Sequence, residues 1–144
     1  MTGVPRIRGG CLCEAVRFSI AMPSRWVAHC HCGMCRRAHG AAFVTWMSVD
    51  GASLELDEGS EAALAWHRSS REAERGFCRH CGSPMLFRSR LWAEEVHVAV
   101  GALDEPPDRM PQAHAFWDAH VPWISADPEL PKRTEAEILA ARQG

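Results

Sequence analysis

Seven cysteines fall into three short clusters with none left over: Cys11-Leu12-Cys13, then Cys30-His31-Cys32-Gly33-Met34-Cys35, then Cys78-Arg79-His80-Cys81. Thiolates one or two residues apart can converge on a single soft cation, because a short loop turns both sulfurs to one side. Four of them can close one tetrahedral zinc site, and three remain for a second metal with a vacant position. Whatever fold this chain adopts must bring widely separated segments together to satisfy that division. An odd number of cysteines, behind a start (Met1-Thr2-Gly3-Val4-Pro5-Arg6) with no apolar signal core, fits a reducing compartment where thiols stay free or bind metal. The expectation is a cytoplasmic protein.

At 144 residues the chain is most economically one domain spanning 1–144. A net charge of -2 lacks the electrostatic footprint of a nucleic-acid binder, and no apolar run approaches membrane-spanning length.

Short alternating segments dominate the first two thirds. Val16, Phe18 and Ile20 share one face of an expected strand, with Arg17 and Ser19 opposite. Phe43, Thr45, Met47 and Val49 alternate with Val44, Trp46 and Ser48, which suits a strand covered on both faces. Leu54 with Leu56, and Val96 with Val98 and Val100, mark two more, and 63–68, 84–88 and 113–117 are weaker candidates. Gly9-Gly10, Gly40, Gly51, Gly59, Gly82, Gly101 and Pro106-Pro107 read as punctuation between them. The pattern predicts a mainly β protein of two packed antiparallel sheets. A helix is expected near the C-terminus, where Thr134-Glu135-Ala136-Glu137 forms a capping box after Pro131, and a helical turn can follow Cys35.

In an extended segment residues i and i+2 face the same way, so Cys11 and Cys13 present two sulfurs on one side. Cys78-x-x-Cys81 followed by Gly82 has the form of a zinc knuckle, with Gly82 free to take the positive φ such a turn needs. Joining the two pairs assigns Cys11, Cys13, Cys78 and Cys81 to the closed structural site. A redox pair is the alternative for Cys78 and Cys81, but Gly82-Ser83-Pro84 discourages the helix that such a motif opens. Cys30, Cys32 and Cys35 are left for the site with an open fourth position, where a small thiol is an apt ligand. Alternatively His29, His31 or His39 closes it as a Cys3His centre; His31, between two ligands, is the poorest of these and His39 the freest.

Arg36 and Arg37 either hold a substrate carboxylate, offset the thiolate charge or face solvent. The six tryptophans read as core and sheet-packing residues rather than a cleft lining, and His97 as a surface or hydrogen-bonded histidine. The motifs of a zinc deaminase, a DNA-binding zinc finger, a nucleotide loop and a nucleophile elbow are missing from the sequence.

Gly9-Gly10-Cys11-Leu12-Cys13, Cys30-His31-Cys32-Gly33-Met34-Cys35-Arg36-Arg37-Ala38-His39-Gly40-Ala41-Ala42-Phe43 and Gly76-Phe77-Cys78-Arg79-His80-Cys81-Gly82, in this order, resemble the glutathione-dependent formaldehyde-activating enzyme family, whose domain is shared with centromere protein V. Pro111-Gln112-Ala113-His114-Ala115-Phe116 and Pro122-Trp123 extend the likeness, which covers about residues 5–128. The resemblance implies an Mss4-like fold of antiparallel sheets around a structural zinc held by Cys11, Cys13, Cys78 and Cys81. It also implies a catalytic zinc held by Cys30, Cys32 and Cys35, where glutathione meets formaldehyde. Two positions depart from the family pattern. The residue after the second cysteine, usually glycine, is Glu14, and the threonine or serine often found before the motif's glycine is His39.

The activity expected is that of a zinc-dependent carbon–sulfur lyase, resembling S-(hydroxymethyl)glutathione synthase, with glutathione or another small thiol and a small aldehyde as partners and two zinc ions per chain. The alternatives are a module that binds or senses thiols without turnover, and a structural two-zinc scaffold.

Overall fold

The computed structural model describes residues 3–143, so Met1, Thr2 and Gly144 of the expected 1–144 domain lie outside the described residues. In chain order the elements are β1 (Arg6–Gly10), β2 (Arg17–Ala21), β3 (Trp26–Cys30), α1 (Gly33–His39), β4 (Val44–Asp50), β5 (Glu55–Leu56), α2 (Ser60–Ala63), β6 (Leu64–Arg68), β7 (Ala73–Cys78), β8 (Pro84–Ser89), β9 (Glu95–Ala99), β10 (His114–Ala115), β11 (Lys132–Arg133) and α3 (Glu135–Gln143). Strands β1, β2 and β5 form one sheet. The other eight run β11-β10-β3-β4-β9-β8-β7-β6. The mainly β architecture with a short C-terminal helix is the one the sequence predicts. The larger sheet is mixed rather than purely antiparallel, because β10 runs parallel to both β3 and β11.

Alternation decides what each face buries. Val27, Met47, Val49, Val96, Val98 and Leu86 from the large sheet meet Ile7, Phe18 and Ile20 from the small one, and this apolar layer is the main core. Each such side chain, fully buried, contributes about 1.5–3 kcal/mol of transfer free energy. The opposite face carries a transverse row, set by strand register, of His67, Arg75, Phe87, His97, Ser48 and Trp26. Cys30, Cys35, Val44, Trp46 and Ala99 pack on that second face. The sheet therefore separates two environments, one purely apolar and one aromatic and polar.

Several local expectations change in the structure. Gly9 and Gly10 sit inside β1 rather than in a turn; a Cβ on Gly9 would stand 2.6 Å from the carbonyl oxygen of Ala102. Of the two expectations for His97 the hydrogen-bonded one holds: it is buried and paired with Glu95 at 2.9 Å. Trp46 is core, whereas Trp123 is 70% exposed. The capping box forms as read, with Thr134 Oγ1 accepting from the Glu137 amide at 3.2 Å. Among the described residues no helix is long and apolar enough to cross a membrane.

Candidate metal centres

The first and third clusters meet. The sulfurs of Cys11, Cys13, Cys78 and Cys81 all lie within 4.8 Å of one another, a spacing at which four soft donors could hold one metal ion. Cys11 and Cys13 converge for a different reason from the one their spacing suggests. Strand β1 ends at Gly10, and the pair lies in a turn closed by the Glu14 amide donating to the Cys11 carbonyl at 3.2 Å. That turn places Glu14 at φ 66°, in the left-handed region. On the other side Gly82 adopts φ 81°, as its place after the knuckle requires. Neutral donors surround the sulfurs: the Val16 amide reaches Cys11 at 3.2 Å, the His80 amide reaches Cys78 at 3.4 Å, and Ser83 Oγ is 3.1 Å from Cys81. The Ser83 hydroxyl and amide are the main reason the Cys81 thiol is drawn down to about 5.

The middle cluster forms a second, separate group. Cys30 ends β3, Cys32 caps α1, and Cys35 is the one buried residue of that helix; their sulfurs too lie within 4.8 Å of one another. The Cys32 sulfur accepts the Cys35 amide at 3.2 Å, so capping the helix and forming the cluster are one event. This group has three members, and among the described residues no histidine or carboxylate joins it. His31 turns away to share a hydrogen with His114 at 2.8 Å, and His29 lies between Thr45 and Asp127 at 2.8 and 2.7 Å. His39 packs its ring edge-on against Trp46 and makes no hydrogen bond through its ring nitrogens among the described residues.

Two residues absent from the sequence-based site complete it. Trp46 Nε1 donates to the Cys35 sulfur at 3.4 Å, and both terminal nitrogens of Arg75 reach the same sulfur at 3.6 Å. Arg75 stands on β7, 40 residues along the chain from Cys35, and also lies over the Phe87 ring at 5.1 Å. Arg37 is exposed, and among the described residues neither Arg36 nor Arg37 donates to a cysteine sulfur as Arg75 does. Proton sharing with Cys30 and Cys32, assisted by Arg75, pulls the Cys35 thiol down against the effect of burial and pushes Cys30 up.

A cleft of about 690 Å³ borders the four-sulfur group at Cys11, while Cys30, Cys32 and Cys35 are not among its lining residues. Leu12, Arg17, Ser83 and Asp104, together with His39, Phe43 and Thr45, line it. Val44 and Ala99 belong both to this lining and to the packing around Cys30 and Cys35. Its size suits a small organic ligand.

The model of the glutathione-dependent formaldehyde-activating enzyme family matches residues 6–119. The chain belongs to that family. A Halomonas elongata protein, provisionally named as a glutathione-dependent formaldehyde-activating enzyme, is 27% identical over 128 residues, 84% of this chain and 81% of that protein. An uncharacterized lyase of Schizosaccharomyces pombe is 29% identical over 84 residues, 58% of each. In fold, the chain is similar to a Rhodobacter sphaeroides protein of known crystal structure, with a TM-score of 0.57 and 21% identity, covering 88% of this chain and 99% of that one.

Proposed function

We propose that this protein is a zinc-dependent carbon–sulfur lyase that adds glutathione or a similar small thiol to formaldehyde or a related small aldehyde. The observation that carries the reading is the three-membered sulfur group beside a complete four-membered one. Family membership and the names of the two relatives support the reaction class.

Cys11, Cys13, Cys78 and Cys81 would hold a structural zinc, and Cys30, Cys32 and Cys35 a catalytic one; all seven donors are sulfurs, a set suited to zinc in a reducing compartment. When bound, a zinc with three protein ligands supplies an acidified fourth position at which a thiol ionises at neutral pH. In the synthetic direction one S–C bond forms, the carbonyl π bond becomes a C–O single bond, and the thiol proton ends on that oxygen. No oxidant or reductant is needed.

The chain's own groups do the rest. Trp46 and Arg75 both donate to the Cys35 sulfur and would hold it in place. His39 lines the cleft, and burial, assisted by Arg75, brings its imidazole down to about 4, so it is neutral at pH 7. A neutral imidazole offers an N–H to a developing alkoxide without competing for the anionic site. Val44 and Ala99 pack with Cys30 and Cys35 in the cluster behind the sulfurs.

The test is exchange spectroscopy on formaldehyde and glutathione with purified protein. Faster interconversion of free and thiol-bound formaldehyde, abolished in Cys32→Ser, is the expected result. Thiol binding without acceleration would replace the lyase with a thiol carrier, and absence of both would leave a two-metal scaffold.

A further inference from the structure

Arg75 is 8% exposed, and among the described residues it makes no ion pair with a carboxylate. Its Nε is buried and without a hydrogen-bond partner. A guanidinium so placed is a poor investment in stability, since a buried cation needs a paired anion and a buried unmade donor adds a further cost. The anion within its reach is the Cys35 sulfur, approached by two nitrogens at 3.6 Å each.

The two sulfur groups differ in how their charge is met. Around Cys11, Cys78 and Cys81 the donors are amides and a hydroxyl, all neutral, and Cys13 is exposed, so water screens the excess negative charge there. Cys30 and Cys35 are buried at 8% and 4% exposure, behind Trp46, Phe87 and Val44, where screening is weak. Three thiolates and one divalent cation carry one net negative charge; an anionic fourth ligand would bring a second.

We infer that Arg75 is the positioning and selectivity residue of the middle centre: its guanidinium cancels the net charge of a metal held by Cys30, Cys32 and Cys35, so that an anionic fourth ligand is accepted there in preference to a neutral one. The inference rests on the proposed use of that centre for a thiol, and extends it by naming the residue that selects the ligand's charge. The role demands a cation at this point of the sheet, and Arg75 reaches it because β7 pairs it with Phe87, whose ring supports the guanidinium plane.

The experiment uses cobalt-loaded full-length protein, whose visible thiolate bands report each added ligand, and compares wild type with Arg75→Met and Arg75→Lys. Glutathione and cyanide serve as anionic ligands and imidazole as the neutral one. Arg75→Met should weaken glutathione and cyanide binding at least about tenfold, the scale of one lost charge-assisted contact, while imidazole binding stays within about twofold. Arg75→Lys should recover most of the anion affinity. Chelator competition should also show the middle ion released more readily from Arg75→Met, with the four-cysteine ion unaffected.

Equal loss of anionic and neutral ligands would overturn the inference, as would unchanged anion binding in Arg75→Met. Should Arg75→Met fail to fold, Arg75→Lys carries the test, since loss of anion selectivity in that charge-conserving variant would sink the charge argument. Wild-type protein that binds cyanide but not glutathione would remove the lyase reading while leaving Arg75's role standing.

Discussion

Cys13 and Cys78 are 65 residues apart in the chain, yet their sulfurs stand 3.7 Å apart. The Leu12 amide also donates to Ser83 Oγ at 3.0 Å, joining the turn after β1 to the knuckle after β7. A metal at this point would close a long loop between the two sheets, and a structural zinc contributes on the order of 10 kcal/mol to folding. Serine at Cys11, Cys13, Cys78 or Cys81 should therefore abolish soluble expression, or lower the melting temperature by tens of degrees. Serine at Cys30, Cys32 or Cys35 should shift it by only a few degrees while one of two zinc ions disappears from elemental analysis. Equal destabilisation by both groups would make both centres structural.

Glu14 occupies the position that is usually glycine in the family, and its φ of 66° explains why glycine suits it. A non-glycine residue in the left-handed region is strained by about 1–2 kcal/mol, and glycine's extra freedom in the unfolded chain costs about 0.4–1 kcal/mol. Glu14→Gly should then stabilise the zinc-loaded protein by about 0.5–1 kcal/mol, whereas Glu14→Ala, which keeps the strain, should not. Thermal unfolding at a fixed zinc concentration distinguishes them, because metal binding itself shifts the apparent stability. A Glu14→Gly protein no more stable than wild type would mean that the turn imposes no strain.

The division of seven sulfurs into four and three was legible because each cluster is local, with a spacing that carries its own geometry. Strands β2, β4 and β9 were legible because their alternation is complete over four or more residues. Strand β3 was not: Trp26-Val27-Ala28-His29-Cys30 is covered on both faces and offers no polar alternation. The expectation of an extended Cys11-x-Cys13 gave the right convergence through the wrong backbone, since a turn and a strand can both place i and i+2 sulfurs together. Arg75 was invisible for a different reason. Arg36 and Arg37 adjoin a ligand in sequence, whereas Arg75 reaches Cys35 only through the pairing of β7 with β8 and the packing of α1 over the sheet. No local motif records a contact made by sheet register.

Glu95 is a buried acid on the same face, placed where the C-terminal helix returns to the sheet. Ser48 Oγ, His97 Nε2 and Arg142 surround its carboxylate at 2.7, 2.9 and 2.6 Å, with Arg25 at 3.7 Å, and Arg142 also covers the Trp92 ring. Burial alone would raise the carboxyl, but the hydrogen bonds from His97, Ser48 and Arg142 outweigh it and bring it from 4.5 down to about 2. A group whose folded pKa lies below its unfolded value contributes stability that is complete above the unfolded pKa and lost as pH falls through the folded one. Glu95→Gln should thus cost about 2 kcal/mol at pH 7, the scale of hydrogen bonds to a charged group. The gap from wild type should persist down to about pH 5 and then shrink steadily between pH 4.5 and 2. Acid also protonates the cysteine ligands, but it does so in both proteins, so the difference between their unfolding curves is the quantity to follow. A gap that stays constant across this range would mean that the carboxylate's charge does not hold the helix to the sheet.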